Sequence, residues 1–245
     1  MWPFKKQDEQ IGGFIAQANL GDWWLGEFDD AERTHILATF QPMGASAGGA
    51  SMLIEGNISG SHGDPSHLLY SLAGWFKREA DRTIAFRIID KAEELLAASP
   101  SVLTKHFTYQ AKAEIYYRWR DVDSFALERA IQACRDQIAI APQASKEFMG
   151  EGPKQIVKID WIIDSEDEIQ RKIKLIEKGE ATTDEYVLGF LPSHHGYKQL
   201  AIILEKQGDF QGARTLCEQA KAQGWKGDWD ARIARLNKKL AKVLG

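Results

Sequence analysis

The sequence predicts an all-α protein of about three helical hairpins. Three observations carry this reading. Apolar residues recur at helical spacing through residues 66–142 and 195–244, giving each stretch one apolar face. Small residues recur on those faces, at Ala85 and Ala92, at Ala126, Ala130 and Ala133, and at Ala213 and Ala220, where two helix axes must come close. Turn or stop signals separate the stretches, notably Pro100, Arg120-Asp121-Val122-Asp123 and Gly208-Asp209. A hairpin with one apolar side cannot bury it alone, and stacking similar hairpins supplies the missing surface. The expected organisation is a divergent N-terminal helical or loop segment, 1–65, followed by a helical domain, 66–245, with a non-repeat insertion at 143–193.

In the N-terminal segment, Trp2 and Phe4 beside Lys5-Lys6 read as a packed or frayed end. Gly12-Gly13 interrupts any helix there. Asp29 with Glu32 three residues on has capping-box spacing, with Phe28 as the staple before it. Ile36, Leu37 and Phe40 form the face of that helix, and Gln41-Pro42 stops it. Trp23 and Trp24 are costly to expose and are read as closing a core. The Gly/Ser-rich run 43–65 reads as a loop, within which Ser51 to Ile54 is either a brief helical turn or a strand. Gly48-Gly49 matches no phosphate-binding loop.

Residues 66–99 predict a first hairpin. Leu69, Leu72, Ala73 and Phe76 line its opening helix, and Ala85, Ile88, Ile89, Ala92, Leu95 and Leu96 line its second. Residues 102–142 predict another, with Phe107, Ala111, Ile115 and Trp119 four apart, and Ile131, Cys134 and Ile138 widening its second face; Ala141-Pro142 closes it. The insertion breaks the pattern. A short helix over Ala144 to Met149 is expected, then Ile156 to Ile163 as a buried extended segment or a loop packed by Trp161. A charged helix follows with Ser165 and Glu168 at capping spacing, and another short one from Thr183 to Phe190.

The clearest unit is His195 to Trp225. Tyr197, Leu200, Ala201 and Leu204 share one face, Gly208-Asp209 makes the turn, and Ala213, Leu216, Cys217 and Ala220 face back. This stretch resembles a tetratricopeptide repeat, a family with a large residue, Leu-Gly, an aromatic, a Gly-Asp turn, then Ala, an aromatic and Ala. Tyr197, Leu200, Ala201, Leu204, Gly208, Asp209, Phe210, Ala213 and Ala220 take those places. Cys217 replaces an aromatic, and Gly224 to Gly227 replaces the closing Pro. Residues 66–142 resemble the pattern loosely, through Leu72, Ala73, Phe76, Ala85, Ile89 and Ala92, then Tyr117, Ala126, Ala130 and Ala133. Glu114 stands there where a small residue is usual. The resemblance implies a tetratricopeptide-like α-α superhelix that docks an extended or helical segment of a protein or peptide, with no covalent step. It also implies that the first helices line the inner side, which nominates Gln110, Lys112, Tyr116, Lys198, Gln199 and Lys206 as groove residues.

A last helix from Asp228 to Leu244 is expected to turn Ile233, Leu236, Leu240 and Val243 inward. Its polar face would carry Arg232, Arg235, Lys238, Lys239 and Lys242 outward, keeping the array's end soluble and available to an acidic partner. The chain's net charge of −4 gives nucleic acid no general electrostatic support. The charge is segregated: residues 1–65 hold 9 acidic and 3 basic side chains, residues 194–245 hold 5 and 10. No apolar run is long enough to span a membrane and no secretory signal is read, so a cytoplasmic chain is expected. Cys134 and Cys217 read as reduced packing residues.

No pattern calls for a metal or a cofactor, and none is expected. The histidines are His35, His62, His67, His106, His194 and His195. His194-His195 reads as a helix start whose imidazoles cap it or face solvent. His62, Asp64 and His67 form the one local grouping with acid–base potential, and a small hydrolase centred on His62 and His67 is the enzymatic alternative. A self-assembling structural protein, a homo-oligomer whose grooves meet each other or the acidic N-terminal part of a second chain, is another.

Overall fold

The computed structural model describes residues 11–42, 51–56, 64–150, 155–159, 164–178, 181–182 and 191–244. The readings placed on Trp2, Phe4, Lys5-Lys6, Gly48-Gly49, His62, Trp161 and Thr183 to Phe190 lie outside these residues. Among the described residues the fold is all-α apart from one pair of two-residue strands. It forms two compact units, 1–130 and 131–245.

The first unit begins with α1 (Gly13–Gln17), α2 (Gly21–Glu27) and α3 (Asp30–Thr39). Gly13 has φ +60°, and a Cβ there would sit 2.4 Å from the Met52 carbonyl oxygen. Only glycine lets the start of α1 lie this close to the 3-10 turn Ser51–Leu53. Two hydrogen bonds hold that contact, Gly12 N to Ile54 O at 2.7 Å and Gly13 N to Gly56 O at 2.8 Å. The capping box at Asp29 and Glu32 is complete, and Phe40 leaves the helix in an extended conformation before Pro42. The two tryptophans lie within α2 itself: Trp24 is fully buried, and both rings pack against Phe28.

Next come α4 (Pro65–Ala73), α5 (Arg82–Glu94) and α6 (Val102–Arg118), and these three pack on one another. The core of the unit is a single cluster. It joins Ile15, Trp24, Phe28 and Ile36 to Leu69, Leu72, Ile88 and Ile115, so the N-terminal helices share the core of the following hairpin. Two sequence expectations shift. The opening helix ends at Ala73, with Gly74 as its C-cap, so Phe76 stands in the turn beyond it yet remains fully buried. In α6 the four-apart stripe is buried only toward its C-terminal half, at Ile115 and Trp119, with Ala111 half-buried. Phe107 is 37% exposed, while His106, Thr108, Lys112, Ala113, Ile115 and Tyr116 are buried. The reason is that α4 and α5 both lie against α6 and cover more than one face.

Helix α7 (Ala126–Ala139) contains the boundary between the units. Its Ala126 and Ala130 enter the first core. The second unit continues with α8 (Ala141–Met149), β1 (Gln155–Ile156), α9 (Glu166–Glu177) and β2 (Ala181–Thr182). Pro142 opens α8 where the sequence suggested a stop, because a missing N–H is tolerated in the first turn of a helix. Strands β1 and β2 are parallel. Ser165 caps α9 by accepting from Glu168 N.

The unit ends with α10 (His195–Lys206), α11 (Phe210–Ala222) and α12 (Trp229–Leu244). Helix α10 packs on α11, and α11 on α12. Gly208 has φ +85° at the turn, and Asp209 accepts from Gly212 N at 2.8 Å to start α11. Tyr197, Leu200, Ala201, Ala213, Cys217 and Ala220 are buried, as their spacing requires. His194 is fully buried and caps α10, its Nδ1 accepting from Tyr197 N at 3.3 Å. Its ring meets Trp225, which also meets Phe148 of α8, and Trp229 Nε1 donates to the Trp225 carbonyl at 2.6 Å. These aromatic contacts link the ends of four helices. On α12 the inward stripe is shorter than expected: Leu236 is buried but Val243 is 69% exposed, near the end of the last helix.

Candidate functional site

The structure separates the six nominated groove residues into two sets. Gln110, Lys112 and Tyr116 stand on α6 in the first unit. Gln110 donates from its amide to Glu114 Oε1 at 3.0 Å, one turn on. Lys112 is 6% exposed, its ammonium 2.9 Å from Asp90 Oδ1 and bonded also to Glu93. Tyr116 is 2% exposed and donates its hydroxyl to Asp90 Oδ2 at 2.7 Å. Phe86 stacks on the Tyr116 ring at 4.2 Å, and Arg129 reaches Asp90 at 3.2 Å. Burial, reinforced by the Asp90 carboxylate, pushes the Tyr116 phenol above its ordinary range. Lys112 and Tyr116 therefore belong to an internal polar network that ties α6 to α5. The carboxylates of that network, Asp90 and Glu93, were not singled out in the sequence, because nothing local marks a surface acid as the partner of a lysine 19 or 22 positions away. A cleft of about 250 Å³ borders the network, with Phe125 at its edge, 68% exposed.

Lys198, Gln199 and Lys206 stand on α10 in the second unit. Lys198 and Lys206 are exposed and Gln199 is half-buried. The neighbouring helix, α12, turns out differently from expectation. Arg235 and Lys239, assigned from sequence to an outward solvent face, reach back to α10. Arg235 Nη2 lies 2.8 Å and Lys239 Nζ 2.9 Å from the Glu205 carboxylate. Arg232 bonds Asp228 at 2.7 Å, and Lys198 is close enough to help hold the Asp228 carboxyl below its ordinary range, after the Arg232 hydrogen bond. Positions 228, 232, 235, 239 and 242 share one stripe of α12 by helical spacing. The α10–α12 seam thus gathers Lys198, Arg232, Arg235 and Lys239 around Asp228 and Glu205, and Lys242 continues the same stripe by spacing, five cations to two carboxylates. Arg235 and Lys239 remain 47% and 43% exposed, so both keep donors for a further anion.

The grouping read as a possible acid–base site is only partly described. His67 stacks on Tyr70 at 4.9 Å beside a cavity of about 440 Å³ lined also by Phe14, Ala18, Asp64, Pro65 and Leu68. Asp64 caps α4 through Ser66 N at 2.9 Å and accepts from the Ser99 hydroxyl, so its carboxylate has a structural task. Among the described residues no group of three His, Cys, Asp or Glu side chains is placed to hold a metal ion. Among them, too, no helix is long and apolar enough to cross a membrane. Cys134 and Cys217 are buried free thiols, and burial pushes Cys134 up to about 12, far from a reactive thiolate.

No family model, curated protein or solved structure matches the chain.

Proposed function

We propose that the protein is a tetratricopeptide-like helical scaffold that binds a segment of another protein or a peptide and performs no covalent step. The observation that carries this reading is the α10–α12 seam. It pairs a helix hairpin of the repeat pattern with an exposed surplus of positive charge, and two of its cations share one carboxylate. A partner presenting Asp or Glu side chains would take the donors that Glu205 leaves unused, with Lys198 and Lys206 extending the contact along α10. The expected affinity is moderate, because exposed ion pairs contribute only about 0.2–1 kcal/mol each.

Affinity capture from native lysate tests it, with wild type beside a Lys198→Glu/Lys206→Glu variant of unchanged helical content. Retention of a partner by wild type and its loss in the variant is the expected result. Equal retention by both removes the seam from the account.

A further inference from the structure

We infer that the α10–α12 seam also docks the acidic α2–α3 face of a second copy of this chain. The inference rests on the seam being a docking surface, as proposed above, and adds an occupant whose chemistry is visible in the molecule. Helices α2 and α3, with the Asp29 cap between them, carry Asp22, Glu27, Asp29, Asp30 and Glu32. Among the described residues, the cations paired with them are Arg33, on Asp30, and Arg87, on Glu27 and Glu32. Five carboxylates against two cations is the inverse of the seam's balance. Asp22, Asp29 and Asp30 are exposed, Asp30 at 95%.

The two surfaces are different patches, so the contact is heterologous. It either closes into a ring or continues copy by copy. Attraction built on partly exposed charges is weak and strongly screened. The screening length falls from about 30 Å at 0.01 M salt to about 3 Å at 1 M. Self-docking would cover the seam at low salt and high protein concentration, and a foreign acidic partner would have to displace it.

Sedimentation equilibrium of the full chain at about 0.01 M and about 1 M salt tests the inference. The mass should rise with concentration toward at least twice 27.6 kDa in low salt and return to 27.6 kDa in high salt. Lys198→Glu/Lys242→Glu alone and Asp22→Lys/Asp30→Lys alone should each stay at the single-chain mass, and an equimolar mixture should associate again. Lys198→Met/Lys242→Met, which removes charge without placing new acid beside Asp228, guards against a misfolded variant and should weaken association as well. A wild-type chain that stays at 27.6 kDa in low salt overturns the inference. So does association that survives either reversal, or a mixture of folded variants that fails to associate. If self-association is absent while Lys198→Glu/Lys206→Glu still loses a captured partner, the binding function stands and only the second-copy occupant fails.

Discussion

Arg235 meets Glu205 with two parallel hydrogen bonds, Nε at 3.1 Å from Oε1 and Nη2 at 2.8 Å from Oε2, and so ties α12 to α10 across 30 residues of chain. The hydrogen bond from Arg235, aided by Lys239, holds the Glu205 carboxyl at about 2, well below its ordinary 4.5. Its folded-state value is thus below its unfolded one. The stability it contributes is full above about pH 4.5 and is lost as pH falls toward 2. Glu205→Gln should remove that acid limb and cost about 1 kcal/mol at neutral pH, by urea unfolding. The same change frees two cations, so it should tighten an acidic partner by about threefold even as the fold weakens. Weaker binding in step with lost stability would mean that Glu205 only shapes the site.

His106 titrates in a different window. Burial holds its imidazole at about 4, below the ordinary 6.5. Between those values the unfolded chain binds the proton and the folded chain does not, so stability falls as pH drops from 6.5 toward 4. The shift corresponds to about 3 kcal/mol. Urea midpoints measured across that range should slope for wild type and flatten for His106→Gln. Because the Glu205 limb begins only near 4.5, the two residues can be assigned separately.

Gly196 marks a close approach. A Cβ there would lie 2.8 Å from the Cys134 carbonyl oxygen and 2.8 Å from Gln137 Oε1, and the Gly196 N–H donates to that same Gln137 oxygen at 2.6 Å. Gly196→Ala should destabilise by about 1–3 kcal/mol in thermal or urea unfolding. Gly26, in α2, has no neighbouring atom within 4 Å of such a Cβ, so Gly26→Ala should be neutral or stabilise by up to about 1 kcal/mol.

The six nominated groove residues should separate by assay. Lys112→Ala leaves Asp90 and Glu93 without their central cation, and Tyr116→Phe removes a 2.7 Å hydrogen bond to Asp90. Each should lower stability by about 1–2 kcal/mol. Lys198→Ala and Lys206→Ala, at exposed positions, should change stability by less than about 0.5 kcal/mol and act on partner capture. Unfolding midpoints and capture yields measured on the same four variants check the division.

The fold was legible where local rules govern it. The Asp29 cap, the His194 cap, the Gly208 turn and the alanine positions of α10 and α11 follow from residues within a few places of one another. Sequence reasoning failed where a long-range neighbour decides. Lys112 has the chemistry of a groove lysine, and only the packing of α6 on α5 turns it inward to Asp90 and Glu93. Arg235 and Lys239 sit on the polar side of an amphipathic helix, and only the placement of α10 gives that side a carboxylate to face. Pro142 was read as a stop because the same residue ends one helix or starts the next, depending on backbone geometry that no single position encodes.

Hydrogen exchange of the full chain with and without its captured acidic partner tests the central claim most directly. The account predicts slowed exchange in 195–206 and 229–244, the two helices of the seam, and no change in 102–118. Protection confined to 102–118, or none in either seam helix while the partner is bound, would contradict it.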